Sequence, residues 1–213
     1  METNSLSLRA DTEPLLRRAF WLVVCTMAYN LLEAFVGLWA GIRAESVALV
    51  GFSLDSVIEI SAGAIVAWRL YVRMGDTVSG KSGAGEVGAK RFVAGTFFAL
   101  SAYVLWQSVL QLSTGSHPQE PVVGIILAGV SLGVMPVIAG AKIRVARKLR
   151  SKALEAEAKE TLACAYLSFT LLLGLVCTAV FDWWWADSVA ALVMIPWLVH
   201  EGKEGFAKEE IES

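Results

Sequence analysis

Six long apolar stretches divide this chain, at about 20–42, 46–72, 92–112, 122–141, 161–181 and 183–199. An α-helix needs ~20 apolar residues to cross the hydrocarbon core of a bilayer, and each stretch comes close. The expected fold is therefore all-α: a polytopic membrane protein of six transmembrane helices, read as a single domain over 1–213. Composition agrees. Only 18% of the residues are charged and 56% are apolar, where a soluble domain carries roughly a quarter charged. The first stretch is no signal peptide, because it exceeds the ~7–15 residues of such a core, contains Asn30 and Glu33, and has no small-residue cleavage site after it.

The placement of Lys and Arg orients the helices. Of the 18 in the chain, Arg43 alone falls on one side, and all the others fall in the N-terminal tail (1–18), the second and fourth loops and the C-terminal tail (200–213). Both ends are therefore expected on the cytoplasmic side. His117-Pro118 marks an outer turn, the Gly-rich stretch 75–88 reads as a flexible loop, and the run KALEAEAK at 152–159 reads as a cytoplasmic extension of the fifth helix. There is no basic tract that would bind nucleic acid. Cys25, Cys164 and Cys177 lie inside apolar runs without CxxC spacing, which excludes a disulfide framework and a structural zinc site.

Charged side chains inside the bilayer cost ~2.5–3.5 kcal/mol each on insertion scales and mark ion or proton pathways. The second stretch holds Asp55 and Glu59 near its middle. Spaced four apart, they share one helix face. The helix interior offers no Lys or Arg to offset them, which leaves protons, a metal ion, or both in alternation. The fifth helix repeats the spacing with Glu160 and Cys164, and Ser168 continues that face. Two antiparallel helices with two ligands each make a four-coordinate site. Three carboxylates and one thiolate suit Zn²⁺, and carboxylates also suit Mn²⁺ or Fe²⁺. Counted from the outer ends, Glu160 and Cys164 lie nearer the cytoplasm than Asp55 and Glu59. Glu160 also reads as a solvated residue like Glu155 and Glu157, and Cys164 as a small buried hydrophobe.

Other polar residues carry weaker signals. Glu33 is a candidate for the pathway, whereas Asn30 and Gln107 read as interhelical hydrogen-bond donors. Gly37/Gly41 and Gly129/Gly133 read as close packing contacts. Asp187 reads as an N-cap at the start of the sixth helix, and Trp183, Trp184 and Trp185 as an interfacial aromatic belt.

At these residues the chain resembles the cation diffusion facilitator family of divalent-metal transporters. The string Ser53-Leu-Asp55-Ser-Val-Ile-Glu59 is similar to that family's helix 2 element, 158–168 to its helix 5 element in position, and Trp185-Ala-Asp187-Ser-Val-Ala-Ala191 to its start of helix 6. The resemblance implies metal ligation by Asp55, Glu59, Glu160 and Cys164, with Glu160 and Cys164 standing where the family has His and Asp. It implies export of a divalent metal from the cytoplasm in exchange for protons, by a homodimer. The metal is then transported substrate, and no cofactor is expected. The histidine-rich loop and the C-terminal domain of many members have no counterpart, so the chain resembles the family's short branch. In such a site metal entering from the cytoplasm displaces protons, and outward opening releases it as protons compete again. Rival readings are a membrane scaffold or complex subunit with the acids as assembly contacts, and a passive cation channel. An intramembrane enzyme is disfavoured, because His117 and His200 sit at membrane edges away from any nucleophile. Six uninterrupted helices fit a bacterial inner membrane.

Overall fold

The structure, a computed structural model, describes residues 2–75, 84–115 and 122–207. Six helices follow one another: α1 (Glu2–Ala44), α2 (Val47–Gly75), α3 (Ala84–Thr114), α4 (Val122–Leu149), α5 (Lys152–Phe181) and α6 (Ala186–Ala207). Among the described residues α1, α2, α4 and α5 are each long and apolar enough to cross a membrane, and α3 and α6 pack with them. The chain is an all-α polytopic membrane protein.

Helix ends depart from the apolar stretches, because hydropathy marks where lipid begins and not where a helix stops. α1 runs back to Glu2 through the expected tail, whose Leu, Arg, Ala and Glu residues favour helix. The expected loop at 84–88 is instead the start of α3. The remainder of that loop (76–83) and the His117-Pro118 turn lie outside the described residues. The KALEAEAK segment does extend α5, capped by Ser151, whose Oγ accepts the Leu154 N–H.

α2 occupies the centre of the bundle, since it meets α1, α3, α5 and α6. Its antiparallel partner is α1. The turn between them places Glu45 in the left-handed region at φ 55°, and the Ser46 N–H donates to the Gly41 carbonyl at 3.0 Å. Gly37 and Gly41 permit the approach: a Cβ on Gly37 would overlap Ser53 Oγ, and one on Gly41 would lie 3.0 Å from the Val50 backbone nitrogen. Gly129 and Gly133 behave otherwise. They lie on an exposed face of α4, and a Cβ on either would meet nothing within 4 Å. The same spacing gives packing only where it coincides with the buried stripe.

Beside the turn between α1 and α2, Asp187 caps α2 and not its own helix. Ser46 Oγ donates to Asp187 Oδ1 at 2.5 Å, and the Val47 and Ala48 N–H groups donate to Oδ2 at 2.8 and 3.4 Å. Gln111 ties the neighbouring ends together, donating to the Glu45 carbonyl at 2.8 Å and accepting from Ser188 Oγ at 2.6 Å. Thus Gln111, one turn beyond Gln107, is the interhelical residue of α3. Losing a carboxylate cap leaves helix N–H groups unpaired, so Asp187→Ala should cost about 1–2 kcal/mol. Thermal unfolding in detergent checks this; an unchanged Tm would contradict it. The three tryptophans follow the C-terminal end of α5, partly exposed, with Trp183 and Trp185 stacked at 5.2 Å between ring centroids.

Candidate metal site

Midway along α2, Ser53, Asp55, Ser56 and Glu59 are all buried. Their i,i+3 and i,i+4 spacings turn them toward the neighbouring helices instead of lipid. α1 faces them with Asn30 and Glu33, which are only 2% and 1% exposed. Asn30 Nδ2 donates to Glu59 Oε2 at 2.8 Å, and Ser56 Oγ donates to Glu33 Oε2 at 2.7 Å. α4 contributes Ser131, whose Oγ donates to Glu33 Oε1 and pairs with Tyr29 Oη at 2.7 Å. From α5, Cys164 Sγ lies 3.9 Å from Glu33 Oε2. The result is a polar cluster drawn from four helices and closed off from both water and lipid.

Three of the four sequence-derived ligands share this cluster. Asp55, Glu59 and Cys164 come together, with Glu33 among them; the charges of all three carboxylates act on the Cys164 thiol. Glu160 is half-buried and lies one turn along α5 from Cys164, about 6 Å away by helical rise. It reaches Glu59 electrostatically. Cys164 is the end of the pair that meets the acid cluster. Among the described residues no three His, Cys, Asp or Glu side chains converge closely enough to hold a metal ion. Glu33 and Glu59 are instead held by hydroxyl and amide donors, and Asn30 Oδ1 is buried without a hydrogen-bond partner.

Two residues depart from what the sequence leads one to expect. Lys142, which falls among the cytoplasmic cations by position, is fully buried, and Glu157, which reads as solvated, is 6% exposed. They pair with each other, Lys142 Nζ to Glu157 Oε1, at 2.5 Å. The interior therefore does contain a basic group. The signal is present in α4: its buried residues Gly124, Ala128, Ser131, Met135, Ala139 and Lys142 recur every three or four positions, the period of one helix face.

Residues 23–201 match the family model described as the cation efflux transmembrane domain. The chain belongs to the cation efflux family. The match takes in every residue of the cluster, from Tyr29 on α1 to Cys164 on α5, together with the Lys142–Glu157 pair. No curated protein matches the chain in sequence. A cation efflux domain built of membrane-spanning helices makes this an integral membrane transporter of metal cations.

Proposed function

We propose that this cation efflux protein exports a divalent metal, zinc foremost, from the cytoplasm in exchange for protons, with Asp55, Glu59, Cys164 and Glu160 as metal ligands. The observation that carries the reading is the burial of Asp55 and Glu59 at the centre of the bundle, facing Glu33 and Cys164. A carboxyl pair that exchanges two protons for one divalent ion keeps its buried charge unchanged, which avoids the cost of an uncompensated charge in low dielectric. Metal binding then draws Glu59 out of its hydrogen bond to Asn30 and brings the ligands toward one another. Rocking of α2 and α5 against the other helices turns the loaded site from one face of the membrane to the other. Both chain ends are cytoplasmic in this scheme, the membrane is a bacterial inner membrane, and the working unit is a homodimer.

A thiolate ligand favours Zn²⁺ over the harder Mn²⁺. Cys164→Ser should therefore weaken Zn²⁺ transport roughly tenfold more than Mn²⁺ transport, whereas Cys177→Ser should change little. Saturating Zn²⁺ should slow alkylation of Cys164 selectively. If metal leaves that rate unchanged and Cys164→Ser transports zinc normally, the cysteine only packs, and the preference for zinc loses its basis. The same chemistry reports orientation: an impermeant thiol reagent added outside should label a cysteine placed at residue 117 and spare one placed in either tail.

A further inference from the structure

Lys142 is the one buried ammonium among the described residues, and nothing in the exchange mechanism above uses it. Its Nζ lies 2.5 Å from Glu157 Oε1 and 2.9 Å from Thr161 Oγ1, so α4 reaches across to two successive turns of α5. Thr161 in turn donates to the Glu157 carbonyl at 3.1 Å. Glu160 stands beside Thr161 on the same helix. The second carboxylate oxygen, Glu157 Oε2, is enclosed without any hydrogen-bond partner. The lysine thus satisfies half of this acid and leaves the other half unoffset.

Packing alone does not account for such a pair. Removing two ions from water costs several kcal/mol each, and apolar side chains of similar volume join two helices at least as well. The ammonium also stands next to the acid cluster, because Thr161, which it touches, lies three residues from Cys164 on the buried face of α5, and Cys164 lies beside Glu33. The acids near Glu59 are Asp55, Glu33 and Glu160, so Lys142 supplies positive charge where carboxylates otherwise accumulate.

We propose that Lys142 is a built-in counter-cation of the acid cluster, whose fixed charge sets how tightly the cluster holds a divalent ion taken from the cytoplasm. The proposal rests on the reading that Glu59 belongs to the metal path. Too many acids would hold the metal and slow its release; too few would not draw it in. A lysine suits the task because its ammonium is a compact charge on a flexible stem. Lys142 is a positioning residue here, acting on the metal through Glu59 and its neighbours.

The test uses the full-length protein in zinc-loaded and zinc-free liposomes, with the variants Lys142→Gln, Glu157→Gln and the double variant, and with Asp55→Ala in parallel. Lys142→Gln should lower the KM for Zn²⁺ at least several-fold and lower kcat with it, because a fixed positive charge that repels the divalent ion is removed. Glu157→Gln should raise KM by a similar factor. The double variant, with the local charge balanced again, should return KM to near the native value. Should Lys142→Gln fail to fold, Glu157→Gln and the double variant still carry the test, since neutralising both partners of a buried pair is tolerated where removing one is not. Shifts of the same sign in both single variants, or a double variant that does not restore KM, would reduce the pair to a structural tie and overturn the proposal. Normal zinc transport by Asp55→Ala would instead overturn the site itself.

Discussion

Transport by the Asp55→Ala protein is expected to fall to the level of protein-free vesicles, while its yield and thermal unfolding stay close to wild type. Asp55 is 5% exposed at the middle of α2. Its neighbours in the cluster, Glu59 one turn along α2 and Glu33 on α1, are both acidic. Removing a carboxylate from among like charges takes away repulsion, so the fold should not suffer. A metal ion or proton passing the centre of the bundle, by contrast, loses one of its principal ligands, and the remaining acid of the pair cannot alone offset a divalent charge. Loss of transport with an intact melting profile is thus the signature of a functional acid. A scaffold in which the acids serve as assembly contacts gives the opposite pattern, with assembly lost along with the carboxylate. Normal transport by well-folded Asp55→Ala protein would remove α2 from the pathway.

Glu33→Ala should lose both stability and transport. Its carboxylate accepts from Ser56 and Ser131 and lies beside Cys164, so it holds α1, α2, α4 and α5 together at one point. Truncation removes the acceptor shared by Ser56 and Ser131, leaving Ser56 only its longer bond to the Phe52 carbonyl and Ser131 only Tyr29, at roughly 1 kcal/mol per hydrogen bond lost, and opens a cavity in the cluster. Glu33→Gln separates the two roles. The amide keeps a carbonyl for one serine and nearly the same volume, so thermal stability should recover most of its value, while transport stays low if the charge of Glu33 serves the cation. Full transport by Glu33→Gln would make Glu33 a structural acceptor only. Equal melting temperatures for Glu33→Ala and wild type would contradict its place in the network.

Much of this cluster is legible in the amino-acid sequence, for a simple reason. A carboxylate in an apolar run is conspicuous, so Asp55 and Glu59 stand out at once, and their spacing of four puts them on one face. Gly37 and Gly41 are legible too, since α1 and α2 are joined by a short turn and must run side by side. Partners far apart in the chain are not. Ser131 meets Glu33 across 98 positions, and serines in apolar helices are too common to single out. Asp187 reads as a cap and is one, but the helix it caps begins 140 positions earlier, and only the bundle brings the two ends together. Lys142 escapes a reading by hydropathy because charge next to the end of an apolar run looks as if it lies outside the membrane. The small-residue stripe of α4 carries the contrary message, and it has to be followed one turn further than hydropathy invites.

The balance of charge around α2 ties these observations together. Glu33, Asp55 and Glu59 gather there, Glu160 lies one turn along α5 from Cys164, and Lys142, on α4, is paired with Glu157 of α5. In a medium of low dielectric such a group is stable only with cations present, whether protons, a metal ion or the lysine. Exchange of one cation for another, as proposed above, keeps that charge balance at the least cost.

The most direct test is metal flux into liposomes containing the purified protein, with Zn²⁺, Mn²⁺, Fe²⁺ and Co²⁺ compared in the presence and absence of an imposed pH gradient. The account predicts that Zn²⁺ moves fastest, that a gradient of protons directed against the metal speeds it, and that zinc moving alone drives protons the other way. Zinc flux indifferent to the pH gradient and unaccompanied by proton movement would contradict the exchange.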